Sequence, residues 1–219
     1  MKRFVKPLLL VSMALLLICS AYFTTLAFLT DETGSVLNTF ALGDVVITLD
    51  ETELDEFGEP TGNRTYIGNQ YKLVPGTSYV KDPTIHVDPN SVNSLLFVAI
   101  ENTANSADPA YPNAVTYEME DVSGELTVDG ETASWKVFKQ EGDTTIYYLE
   151  KPVLPGSVVL IFNGFKFAPE ISDMQPYVDS YVAITAYALQ ADGFFLDGDG
   201  QLQDPEAAWM AFPENQSLQ

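Results

Sequence analysis

Residues 44–50, which read Asp-Val-Val-Ile-Thr-Leu-Asp, decide the fold class of this chain. Val45, Ile47 and Leu49 alternate with more polar positions that end at Asp50. An alternation with a period of two predicts a β-strand that buries one face and leaves the other in water. The chain therefore starts its folded part with a strand that needs a second layer to cover it.

Similar strand-like segments follow along the chain. Residues 94–101 form a continuous apolar run that predicts a central strand buried on both faces, and residues 180–190 form a second apolar strand. Two Pro-Gly corners, at 74–77 and 154–157, predict type II turns that launch strands. Many short strands with proline- and glycine-rich turns predict an all-β fold, a jelly-roll-like β-sandwich of about nine strands.

Weaker patterns occupy the remaining segments. Residues 51–70 are polar and predict a loop or a flexible hairpin tip. Residues 81–87 predict a short strand, which Pro83 places at a sheet edge or at a strand start. Further strands are predicted at 114–118, 125–128, 134–139 and 144–150. Near the end, Asp204-Pro205-Glu206 predicts the start of a short C-terminal helix that Pro213 stops.

The N-terminus predicts export. A basic start precedes an apolar run from Leu8 to Leu29, and Thr25 and Ala27 supply the small residues before a cleavage site at Phe28. We therefore expect a signal peptide with its helix at 1–27, a tail at 28–38 and one sandwich domain at 39–219. Because the run exceeds a usual signal core, a retained membrane anchor is the competing interpretation.

Net charge and cysteine content restrict the partners and the cellular location that we expect for this protein. The formal net charge is −21, and the three basic residues of the leader make the remainder more acidic still. Such a surface repels nucleic acid and anionic membranes, so we expect no nucleic-acid partner. The single cysteine, Cys19, lies in the leader, and a mature domain without cysteine suits export from a Gram-positive bacterium.

Several motifs together resemble one family. They are Ala27-Phe28-Leu29-Thr30-Asp31, Val74-Pro75-Gly76-x-x-Tyr79-x-Lys81-Asp82-Pro83, Leu160-Ile161-Phe162-Asn163-Gly164-Phe165 and Ala186-Tyr187-Ala188-Leu189-Gln190. In this order the chain resembles the TasA/camelysin family, whose members are substrates of the SipW type of signal peptidase. The resemblance implies a secreted jelly-roll protein of the biofilm matrix that forms fibres by N-terminal donor-strand exchange. An acidic insertion at 195–200 departs from the family pattern.

The tail at 28–38 is also a candidate donor strand on physical grounds. Sandwich edges stay unpaired unless something covers them, and a free apolar segment can add to an edge of a neighbouring copy. Such a contact is heterologous and does not close, so it generates filaments. The alternative is a tail that folds onto its own domain. The candidate donor residues are Phe28, Leu29, Thr30, Val36 and Leu37.

Residues for catalysis or metal binding are sparse. His86 is the one histidine, and no His-Glu-x-x-His pattern, nucleophile motif or phosphate loop is present. Asp197, Asp199 and Asp204 are the best metal candidates and would suit a weak calcium site, although the EF-hand spacing fails. The alternative is an acidic turn. Trp135 and Trp209 are interpreted as core or interface residues rather than a carbohydrate platform.

These observations predict a non-enzymatic structural subunit of an extracellular or biofilm matrix, with no cofactor. Its expected partners are other copies of itself, a SipW-type signal peptidase during export and a related matrix or anchoring subunit. One alternative is a monomeric or membrane-anchored surface binding module. A second alternative is a camelysin-like metallopeptidase.

Overall fold

The computed structural model of the chain describes residues 40–42, 45–194 and 196–212. The predicted signal peptide, its cleavage site and the donor residues of the tail all lie outside these residues. Within the described part of the chain, no helix has the length and apolar character that a membrane crossing requires.

Strands dominate the described residues. In chain order, the strands and α-helices are β1 (Phe40–Leu42), β2 (Ile47–Leu54), β3 (Pro60–Thr65), β4 (Ser78–Tyr79), β5 (Thr84–Val87), β6 (Ser94–Asn102), α1 (Ala104–Ala107), β7 (Val115–Thr116), β8 (Trp135–Glu141), β9 (Thr144–Leu149), β10 (Val158–Leu160), β11 (Phe165–Phe167), β12 (Val182–Gln190) and α2 (Pro205–Met210). A 3₁₀ helix spans Gln175–Tyr177. The all-β prediction, with a short C-terminal helix, is confirmed.

Two sheets face each other and enclose the main core. One has the strand order β1-β12-β6-β9-β8, and the other has the order β10-β5-β2-β3. Their inner faces contribute Ile47, Leu49, Ile85, Val98, Ile100, Val159, Ile184 and Ala186 to one buried apolar cluster. A third sheet, with the order β4-β11-β7, packs against a separate apolar cluster. The fold is a β-sandwich in which both predicted apolar strands are central.

The opening stretch behaves as its alternation predicts, with one exception. Val45, Ile47 and Leu49 are buried, and Val46 is exposed on the opposite face. Asp50 also lies on that outer face, yet it is only 8% exposed. The reason is a set of neighbours that the local pattern cannot reveal, because Arg64 binds the Asp50 carboxylate.

The structure decides between the alternatives of two weaker predictions and corrects a third. Residues 51–70 are not simply a loop, because β2 continues to Leu54 and pairs with β3 as an antiparallel hairpin. Of the two alternatives for Pro83, the strand start is confirmed, because Pro83 directly precedes β5, which lies between β10 and β2. Residues 125–128 form no strand and make a single bridge from Thr127 to Val153.

Both Pro-Gly corners are type II turns, as predicted. The N–H of Thr77 donates to the carbonyl of Val74 at 3.1 Å, and Gly76 has a φ of 78°. The second corner repeats this geometry, with a bond of 3.2 Å from Ser157 to Leu154. A positive φ at the third turn position is the reason for glycine there.

The C-terminal helix covers the outer face of the five-stranded sheet. Asp204 caps α2, because its Oδ1 accepts a hydrogen bond from the N–H of Ala207 at 2.9 Å. Trp209 of this helix and Phe212 after it pack on Phe97 of β6, with ring centroids 5.4 and 5.9 Å apart. The interpretation of Trp209 as a core residue is confirmed.

Candidate functional site

Within the described part of the chain, one edge of β12 has a strand partner along only part of its length. The strand pairs with β6 through nine residue pairs, from Val182 with Asn102 to Gln190 with Ser94. On its other side, β1 pairs in parallel with positions 187–189 only. Among the described residues, no strand pairs with positions 182–186 on that side. We call this segment, Val182–Ala186, the open edge.

Hydrogen bonds at the start of β12 identify the backbone groups that point to the open edge. Thr103 N–H donates to the carbonyl of Tyr181 at 3.1 Å, and Tyr181 N–H donates to Thr103 Oγ1 at 2.9 Å. Backbone groups of alternate residues in an antiparallel strand point to opposite sides. Val182, Ile184 and Ala186 therefore direct their N–H and C=O groups away from β6. An edge of this kind is a template for another strand.

The side chains beside this backbone are apolar. Ile184 and Ala186 are buried in the main core, and Val182 packs against it. A cavity of about 40 Å³ lies beside the open edge, between β12 and the end of β3. Its rim includes Tyr66 and Ile67, which are 62% and 66% exposed. The open edge thus combines unpaired backbone with an apolar surface, as strand addition requires.

A buried ion pair forms the charged part of the cavity wall. Lys81 Nζ lies 2.6 Å from Glu51 Oε2, and both residues are 6% exposed. Asn69 donates to Glu51 Oε1 from its backbone N–H and from Nδ2, each at 2.8 Å. Burial and the negative charge of Glu51 raise the pKa of the nearby Tyr71 phenol.

Sequence reasoning missed this group, although one indication was present. Glu51 continues the inward parity of Ile47 and Leu49, so an acid stands where the alternation predicts an apolar residue. A buried acid requires a partner. The local pattern did not identify that partner, because Lys81 lies 30 residues further along the chain.

A second polar cluster lies on the outer face of the four-stranded sheet. Asp82 accepts hydrogen bonds from Thr52, at 2.6 Å from N–H and 2.8 Å from Oγ1, and from Arg64 at 2.9 Å. Burial alone would raise the pKa of Asp82, but these donors outweigh it and lower the pKa. His86 Nε2 lies 3.1 Å from Asp50 Oδ1. The His86 side chain is half-buried and lies on this outer face of the sheet.

This cluster leads to a prediction about acid stability. The folded state holds the pKa of Asp82 below its ordinary value of 3.8, so ionised Asp82 stabilises the fold at higher pH. The contribution is lost as pH falls from that value through the lower folded pKa. We expect Asp82→Asn to lower the free energy of unfolding by about 1–3 kcal/mol at neutral pH and to flatten its fall in acid.

Urea denaturation from about pH 7 to pH 2 measures both quantities. Asp121→Asn, at an exposed position, is the matched control and should keep the acid slope of the parent protein. An acid slope in Asp82→Asn as steep as that of the parent would contradict the assignment.

The predicted metal residues have other roles in the structure. Asp197 Oδ1 accepts hydrogen bonds from the N–H groups of Asp199 and Gln201, at 2.9 and 2.8 Å, within a tight turn. Asp204 caps α2. Across residues 45–194 and 196–212, the structure brings together no group of three or more metal-ligating side chains. Calcium binding at these residues stays a prediction.

Comparison of this chain with protein-family models, curated proteins and solved structures found no match. The resemblance to the TasA/camelysin family is carried by the sequence motifs alone and stays a prediction.

Proposed function

We propose that this chain is an exported structural subunit that assembles into filaments of a cell-surface or biofilm matrix. In each contact, the tail at 28–38 of one copy adds as a strand to the open edge of the next copy. The observation that carries this proposal is the row of backbone groups at Val182, Ile184 and Ala186. They point away from β6 and have no strand partner among the described residues.

The register of β1 supports the direction of this addition. β1 runs parallel to β12, with Phe40 opposite Tyr187. A donor strand that joined the same side of β12 in front of β1 would run in the same parallel direction and would place an apolar residue beside Ile184. Side chains directly opposite each other share a face of a sheet. The donor would then fill the apolar cavity next to the core.

Export and charge fit the same proposal. Cleavage before Phe28 releases a tail that the membrane otherwise holds, so assembly would begin only after export. The strongly negative surface opposes premature association, because like charges repel at low ionic strength. Filament growth would accordingly increase with added salt. A tail that fills the open edge of its own chain would give stable monomers instead.

Two protein preparations test the proposal. One begins at Phe28 and keeps the tail, and the other begins at Asn38 and lacks it. We expect the first to form filaments in negative-stain electron microscopy and the second to remain monomeric. Monomers from both preparations across salt, pH and calcium concentrations would overturn self-assembly. Mature material that retains residues 1–27 and stays monomeric would favour an anchored surface module.

A further inference from the structure

A lysine and an asparagine bind the two carboxylate oxygens of one glutamate beside the open edge. One carboxylate, that of Glu51, bridges Lys81 Nζ at 2.6 Å and Asn69 Nδ2 at 2.8 Å. The amine and the side-chain amide are therefore neighbours. We propose that Lys81 and Asn69 join in a spontaneous isopeptide bond, with Glu51 as the group that moves the protons.

Lys81 is buried and lies among aromatic and apolar side chains. Its Nζ lies 5.9 Å from the centroid of the Tyr71 ring, which packs against Phe165 at 5.0 Å. Leu49 and Ile184 line the same cavity. Lys81 Nζ and Glu51 Oε2 are in hydrogen-bond contact, which provides a direct path for proton transfer between them during the reaction. A desolvated neutral lysine is an effective nucleophile toward a carbonyl carbon.

Three hydrogen bonds fix the side-chain amide of Asn69. Its Oδ1 accepts a hydrogen bond from the N–H of Leu54 at 2.9 Å, and its Nδ2 donates to the carbonyl of Thr52 at 2.7 Å. The Leu54 N–H is thus aimed at the oxygen that becomes negative during attack, as in an oxyanion hole. The leaving nitrogen faces the Glu51 carboxyl that would protonate it.

The reaction needs no reagent beyond these three side chains. After Glu51 accepts a proton, the Lys81 lone pair forms a bond from Nζ to Cγ of Asn69. Glu51 then protonates Nδ2 and takes a second proton from Nζ, and the bond from Cγ to Nδ2 breaks. Nitrogen leaves as ammonium and Glu51 returns to carboxylate. One ammonium side chain and one amide become one isopeptide bond and one ammonium ion.

A second buried lysine, Lys151, has only carboxylates beside it among the described residues and no side-chain amide that it could attack. Lys151 has a side chain only 3% exposed, and its Nζ lies 2.6 Å from Asp129 and 2.9 Å from Glu131. The hydrogen bond from Lys151 lowers the pKa of Asp129, which keeps that carboxyl group ionised at neutral pH. An ionised carboxylate resists nucleophilic attack. Lys151 therefore stays in an ion pair and supplies a matched control.

The cross-link would serve a domain that has no disulfide. The single cysteine of the chain is Cys19, so no disulfide can form within one copy. A bond from Asn69 to Lys81 would tie the segment after β3 to the segment before β5, next to the cavity. Its formation depends only on the folded domain, so it does not depend on filament assembly.

Mass spectrometry of the purified full chain tests the cross-link. We expect the protein to be lighter than its sequence mass by one ammonia molecule, about 17 Da, and a digest to contain a linked peptide that joins Asn69 to Lys81. Protein at its sequence mass, with unlinked peptides carrying Asn69 and Lys81, would overturn the proposal. An ammonia loss that maps to a different residue pair would overturn it as well.

Three variants assign the roles. Asn69→Ala removes the leaving group, and Glu51→Gln removes the proton carrier, so both are expected to keep their full sequence mass. Lys151→Arg should show the same mass loss as the parent protein. A mass loss that persists in Glu51→Gln would overturn the role given to Glu51. If a variant fails to fold, the mass of the parent protein still decides whether the cross-link is present.

Discussion

Replacement of Val182 with proline is expected to weaken filament formation strongly while the sandwich stays folded. The N–H of Val182 points to the open edge, so proline removes no hydrogen bond to β6, and strand starts tolerate proline. Its ring blocks the close approach of an incoming strand. We expect the critical concentration for assembly to rise at least about tenfold, which corresponds to about 1.4 kcal/mol per added subunit.

Ala183→Pro is the matched control, one residue further along. The N–H of Ala183 points to β6, where Ala183 lies opposite Glu101. Loss of this bond leaves a carbonyl without its donor and should lower the free energy of unfolding by about 1–3 kcal/mol. Negative-stain microscopy and urea denaturation together separate the two effects. Normal filaments from Val182→Pro would show that the open edge does not accept the donor strand.

Phe97→Ala is expected to produce the largest loss of stability. Phe97 has no exposed surface and lies at the centre of the aromatic cluster that holds α2 on the sheet. Its ring contacts Phe138, Trp209 and Phe212 with centroids 5.4–6.2 Å apart. Removal of a buried phenylalanine leaves a cavity and costs about 3–5 kcal/mol. Chemical denaturation monitored by tryptophan fluorescence measures the change.

Phe57→Ala makes the same chemical change at a position that is 81% exposed. It should alter the free energy of unfolding by less than about 0.5 kcal/mol, because an exposed side chain loses little packing. Equal losses for Phe57→Ala and Phe97→Ala would contradict the cluster as the support of the helix. The pair therefore isolates the effect of burial from the effect of residue type.

The strands and turns were largely predictable because their causes are local. The alternation of Val45, Ile47 and Leu49 reports which face is buried, and glycine in a Pro-Gly corner reports a positive φ. The short helix was predictable from Asp204 for the same reason. Neighbours decided the outcome where the local pattern left two alternatives, as at β5, which has a proline in front of it and strands on both sides.

The sequence by itself determined an all-β chain, its central strand at 94–101, its second apolar strand at 180–190, its turns and its acidic, cysteine-poor character. Only the tertiary structure showed that the first half of β12 lies beside a cavity and has no second strand partner among the described residues. It also brought Glu51, Asn69 and Lys81 together, although up to 30 residues separate them. The physical reason is that local periodicity sets which side of a strand is buried. The strand order, which sets long-range neighbours, arises from packing of the whole domain.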